Sequence, residues 1–180
     1  MVELETGIWQ RTAPEQSICG DSYLVCEESH VLTVAVADGL GHGPEAGEAA
    51  DIAVRAVQNH QDSWEQLIAK IHRQLLGTRG AVISIARFDL KSGKIKYTGI
   101  GNINTYIIYK GRVKLLMAVE GFLGSRLPPF REYDLNLEEV EQLIMVSDGI
   151  GAIPGKELLE LGWQKAGSMA RTIGAKWGLG

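Results

Sequence analysis

The spacing of apolar positions changes period several times along this chain, and each change marks an element. Residues 7 to 13 and 20 to 28 read as strands, separated by the polar stretch Pro14-Glu15-Gln16-Ser17. Residues 31 to 37 are almost continuously apolar, the pattern of a central strand covered on both faces. A glycine-rich turn follows from Gly39 to Gly43, and Pro44 suits the first position of a helix. Ala46, Ala49, Ala50, Ala53 and Val57 then recur at helical spacing, and such small side chains predict close packing against a sheet. A second helix is expected over about 63 to 76. Ser63 and Gln66 form a capping-box pattern, and Trp64, Leu67, Ile68, Ile71 and Leu75 make the apolar stripe.

From residue 80 the pattern turns to β. Ala81 to Phe88 reads as one strand, and the turn Asp89-Leu90-Lys91-Ser92-Gly93 leads into Lys94 to Ile100. Asn104 to Tyr109, a turn at Lys110-Gly111, and Val113 to Met117 continue the meander. Residues 130 to 137 and 141 to 147 read as one more strand pair. A last helix is expected over 163 to 177, with Trp163, Ala166, Ala170, Ile173 and Trp177 on one face. Tight hairpins demand antiparallel pairing, and paired helices argue against a doubly wound parallel sheet. Two packed antiparallel sheets with helices outside them, an α+β arrangement, fit the order.

Composition narrows the function classes. With 180 residues, 45% hydrophobic and 22% charged, the chain is expected to form one soluble domain, residues 1–180. A net charge of -4 and dispersed Lys and Arg argue against a nucleic-acid groove. No apolar run reaches the roughly 20 residues of a membrane helix. Cys19 and Cys26 lie on one expected strand without metal-type spacing, which fits free thiols and a cytoplasmic location.

Candidate chemistry sits at strand ends. Val34-Ala35-Val36-Ala37 runs into Asp38-Gly39, and Leu143-Ile144-Met145-Val146-Ser147 runs into Asp148-Gly149. A residue just past a buried strand emerges at a sheet edge, so the two carboxylates could converge. Asp21 opens another strand-like run. Carboxylates gathered without an evident cationic partner suit a hard divalent ion. A lone Asp-Gly would be an ordinary turn, but Gly39-Leu40-Gly41-His42-Gly43 holds three glycines and a histidine ahead of a helix N-terminus. His42 reads as a general acid, as a group orienting a metal-bound water, or as a simple cap. Arg79, in Thr78-Arg79-Gly80-Ala81, reads equally as a phosphate contact or a solvated loop residue. Gly99-Ile100-Gly101-Asn102 lacks a full nucleotide-loop pattern and reads as a glycine-bearing β-turn. His30, His60 and His72 read as surface or core residues, and Trp64, Trp163 and Trp177 as core.

Together these segments resemble the metal-dependent serine/threonine phosphatases of the PPM (PP2C-like) family. Ala37-Asp38-Gly39-Leu40-Gly41-His42-Gly43-Pro44-Glu45-Ala46 resembles the bacterial branch of sporulation and stress-response phosphatases. Thr78-Arg79-Gly80-Ala81, Gly99-Ile100-Gly101-Asn102, Gly121-Phe122-Leu123-Gly124 and Ser147-Asp148-Gly149 fall in that family's order. The resemblance implies an αββα sandwich with two divalent ions, Mn²⁺ or Mg²⁺, between the sheets. It implies that Asp38 bridges both ions, that the Gly39 carbonyl and Asp21 serve one, and that Asp148 serves the other. It implies phosphoserine or phosphothreonine substrates on STAS-domain stressosome proteins, a role in resetting the stress response, and a monomeric enzyme. The family pattern also carries a further Asp on a final strand. Lys176-Trp177-Gly178-Leu179-Gly180 stops short of it, which would leave the ion at Asp148 the weaker one.

Two other classes compete. A phosphatase fold that only docks a partner would need no metal chemistry. A Bergerat-type ATPase has a D-x-G-x-G box, but the glycines here fall one, three and five positions after Asp38.

Overall fold

The computed structural model describes residues 3–14, 16–58, 63–162 and 164–179. Two antiparallel sheets face each other, each with helices on its outer side. The first sheet has five strands: β1 (Asp21–Glu28), β2 (Val31–Gly39), β3 (Ala81–Asp89), β4 (Lys94–Ile100) and β7 (Glu132–Asn136), in that order. The second holds β5 (Asn104–Tyr109) between β6 (Arg112–Leu116) and β8 (Val140–Val146). Helices α1 (Pro44–Val57) and α2 (Trp64–Gln74) cover the first sheet; α3 (Gly155–Leu161) and α4 (Ala166–Trp177) cover the second. This is the expected α+β sandwich of two sheets.

The register assigns faces. Asp21, Asp38 and Val82 are cross-strand neighbours, as are Tyr23, Val36 and Ser84, so these side chains share the face turned toward the second sheet. The opposite face carries Ala35, Ala37, Ile83 and Ile85, which pack with Ala49, Ala50 and Ala53 of α1. Alanines on both partners let helix and sheet approach closely. The Ser63 capping box forms as expected, with Ser63 Oγ accepting from the Gln66 backbone N–H and Gln66 Oε1 accepting from that of Ser63. Between the sheets, Tyr97 is fully buried and its hydroxyl donates to Thr105 Oγ1 at 3.0 Å, joining β4 to β5.

Four expectations change. Residues 7 to 13 form no strand. That segment instead runs along α4, where Gly7 lies against Ala166 and Trp9 lies against Gly174. Residues 130 to 137 and 141 to 147 are not a pair: β7 joins β4 in the first sheet and β8 joins β5 in the second. A 3-10 turn at Leu137–Glu139 carries the chain from one sheet to the other, a switch that strand periodicity cannot reveal. The last helix begins at Ala166, and α3 precedes it unanticipated because seven residues give too short a stripe to read. Trp64 is buried and Trp177 is half-buried against α3 and α4, while Trp163 and His60 lie outside the described residues. His30 is a surface residue beside Asp89, and half-buried His72 accepts from the Gly124 backbone N–H through Nδ1.

Candidate metal centre

The carboxylates gather at one end of the sandwich because two short strand ends are locked in register there. Asp21 opens β1 and Asp38 closes β2, and they are direct cross-strand partners. The ladder is extended by Gly39, whose N–H donates to the Gly20 carbonyl at 3.0 Å, and by Leu40, whose N–H donates to the Gly80 carbonyl at 3.0 Å. Only glycine fits at 39: a Cβ there would sit 1.8 Å from the Ala46 carbonyl oxygen of α1. The turn then bends sharply at Gly41, with φ +92°, a left-handed conformation that side chains disfavour. The Asp-Gly step is therefore where strand, turn and helix meet within van der Waals contact.

Asp148 reaches the same place from the second sheet, just beyond β8. Its neighbour Ser147 donates through Oγ to Asp21 Oδ2 at 2.7 Å, across the gap between the sheets. Asn102, in the link from β4 to β5, donates through Nδ2 to Asp148 Oδ2 at 3.3 Å. The Asp38 carboxyl is close enough to both Asp21 and Asp148 to interact with each. Burial first, and then the charges of Asp21 and Asp148, push its pKa up to about 7. Burial also raises Asp21, and the Ser147 hydrogen bond partly opposes that rise.

Three carboxylates that repel one another need a proton or a cation. The donor set is all oxygen, which fits a hard divalent ion. Among the described residues no group of three or more His, Cys, Asp or Glu already encircles a single point. The aspartates face one another across an open end of the molecule instead. A cavity of about 640 Å³ runs from them between the sheets, past Tyr23, Val34, Leu143 and Met145.

Of the other predicted residues, exposed His42 lines this cavity and Arg79 lies beside its Gly41. Arg79 donates through Nε to Glu45 Oε2 at 2.5 Å, and its guanidinium lies against Gly41. Ser147, Asn102 and Glu45 went unassigned in the sequence. The first two sit inside segments already noted for their glycines and Asp, but no local pattern shows that their side chains reach carboxylates.

A family model described as Stage II sporulation protein E (SpoIIE) matches residues 28–161, spanning β2 through α3. The chain belongs to the SpoIIE family. Phosphoserine phosphatase RsbX of Bacillus subtilis (strain 168) is 26% identical over 150 residues, covering 82% of this chain and 75% of RsbX. A solved chain described with the bacterial stressosome, "a modular system that has been adapted to control secondary messenger signaling", superposes with TM-score 0.88. It is 33% identical, covering 99% of this chain and 94% of that one. RsbX in complex with magnesium superposes with TM-score 0.78 at 21% identity, covering 91% of this chain and 82% of that structure. The expected PP2C-like membership and fold both hold, and this is a phosphoprotein phosphatase domain of the PP2C type. No helix among the described residues is long and apolar enough to cross a membrane.

Proposed function

We propose that this domain is a metal-dependent protein serine/threonine phosphatase that acts on phosphorylated STAS-domain proteins of the stressosome in the cytoplasm. In this reading residues 1–180 form a single domain working as a monomer. The observation that carries it is the convergence of Asp21, Asp38 and Asp148 at the mouth of the inter-sheet cavity, with Asp38 pushed up to about 7 by burial and then by its neighbours' charges. The likeness to RsbX and to a stressosome-associated chain supports the choice of substrate.

Asp38 would bridge two divalent ions, Mn²⁺ or Mg²⁺, with Asp21 and the Gly39 carbonyl on one and Asp148 on the other. When bound, such a pair supplies a deprotonated water for in-line attack and offsets charge on phosphate oxygens. The protein's own contribution is placement. The β1–β2 register holds Asp21 opposite Asp38, and the Gly39–Ala46 contact fixes the turn that carries the Gly39 carbonyl. His42, exposed on the cavity lining, would give a proton to the leaving serine or threonine oxygen. Arg79, held by Glu45, presents its remaining N–H groups beside Gly41 for the phosphate.

Hydrolysis of p-nitrophenyl phosphate with Mn²⁺ tests the chemistry. The wild-type protein should turn over, and Asp38→Ala should fall to background. Equal background rates for both would leave a domain that only docks its partner. A phosphoproteomic comparison with and without the protein tests the substrate: unchanged STAS-domain phosphosites would remove the stressosome role while leaving the chemistry intact.

A further inference from the structure

The geometry points to Ser147 as a positioning residue that spans the two sheets and sets the metal-binding posture of Asp21. The inference rests on the metal reading above and deepens it. Asp21 belongs to the first sheet and Ser147 to the end of the second, so no secondary structure links them. Their contact at 2.7 Å is the shortest hydrogen bond described between the two sheets at this end of the molecule.

Three consequences follow from the chemistry of that contact. A carboxylate oxygen that accepts a hydroxyl proton is partly occupied, so Asp21 offers its other oxygen, Oδ1, to an ion. The hydrogen bond restrains the rotation of the Asp21 carboxyl plane at the start of β1. Because Ser147 is the residue before Asp148, the same backbone segment that carries one ion's ligand orients the other ion's ligand. The two seats are coupled through one peptide bond. Asn102 plays the lesser counterpart on Asp148, from an exposed position at 3.3 Å.

Outer hydrogen bonds to metal ligands generally matter by about 10- to 100-fold in affinity. The test is calorimetric titration of Mn²⁺ into the metal-stripped protein, with melting of the metal-free forms recorded alongside. Ser147→Ala should bind Mn²⁺ about tenfold more weakly, a drop at the low end of that range because Ser147 is only half-buried. Ser147→Thr, which keeps the hydroxyl, should bind like wild type, and metal-free Ser147→Ala should melt with wild type. Asp38→Asn serves as the control for the metal reading itself. If Asp38→Asn loses Mn²⁺ binding but Ser147→Ala keeps wild-type affinity, the positioning role is overturned and the metal centre stands. If Ser147→Ala melts well below wild type with intact Mn²⁺ affinity, its role is structural and the inference likewise fails. If Asp38→Asn binds Mn²⁺ as wild type does, the metal reading falls and this inference with it.

Discussion

The two faces of the first sheet are built from the same strands and differ almost completely. On the helix side, Ala35, Ala37, Ile83 and Ile85 are sealed against Ala49, Ala50, Ala53, Leu67 and Ile71, each no more than 1% exposed. On the inter-sheet side, β1 and β2 present Asp21, Asp38, Tyr23 and Val25, with Tyr23 44% and Val25 39% exposed. One face is a close-packed platform and the other borders an open cavity. The lesson is a division of labour. Rigidity comes from a helix and sheet that meet through alanines, which leaves the opposite face free to hold groups that fold poorly on their own: clustered charges and unfilled space.

The sharpest break in that contrast is chemical. Asp38→Ala should lower phosphatase activity by more than about 100-fold, because a shared ligand is worth at least what its outer supports are worth. Its folding should change little by comparison. Steady-state rates beside thermal melting check both halves of that statement.

Truncating each face next separates platform from cavity. Leu67→Ala in α2 should cost about 3 kcal/mol, a typical cavity cost in a sealed core. Leu143→Ala in β8, beside existing space, should cost about 1 kcal/mol, since the neighbourhood is already open. Urea denaturation of the two variants decides it, and equal losses would mean that the inter-sheet side is as tightly filled as the helix side.

The pH dependence of the metal-free protein sharpens the comparison at the carboxylates. Asp38 binds its proton more tightly when folded, at about 7, than an ordinary aspartate does at 3.8. Its contribution to stability is therefore present in acid and lost as pH rises toward and past 7. Asp21 is raised as well and acts in the same direction. Wild type and Asp38→Asn should melt together near pH 4, and metal-free wild type should melt lower than Asp38→Asn at pH 8. Mn²⁺ at pH 8 should restore wild type and leave Asp38→Asn unmoved. A constant difference between the two across this range would remove the charge cluster as the cause.

The smallest effect lies at the platform's edge. Ser63→Ala removes the cap of α2 and should cost about 1 kcal/mol with activity unchanged. Thermal melting paired with an activity assay checks it.

Much of this molecule was legible from its local patterns. The alanine repeat of α1, the stripe and cap of α2, and the β3–β4 and β5–β6 hairpins are short-range signals, and each formed where it was expected, but the expected meander breaks between β4 and β5, which lie in different sheets. The carboxylates at strand ends were also visible, since Asp-Gly after an apolar run is a local feature. Segments whose fate depends on distant partners were not. Residues 7 to 13 carry a strand's composition, yet their neighbour is helix α4, and no ladder forms. Residues 130 to 147 look like a hairpin, yet their halves join different sheets.

Local periodicity thus decided which segments become strands and helices, because hydrogen-bonding period and side-chain size act over a few residues. Only the folded chain decided which strands share a sheet and which side chains meet across the gap. The approach of Ser147 to Asp21, 126 residues apart in sequence, is of this second kind. It depends on the docking of two sheets, a long-range event that no window of the sequence records.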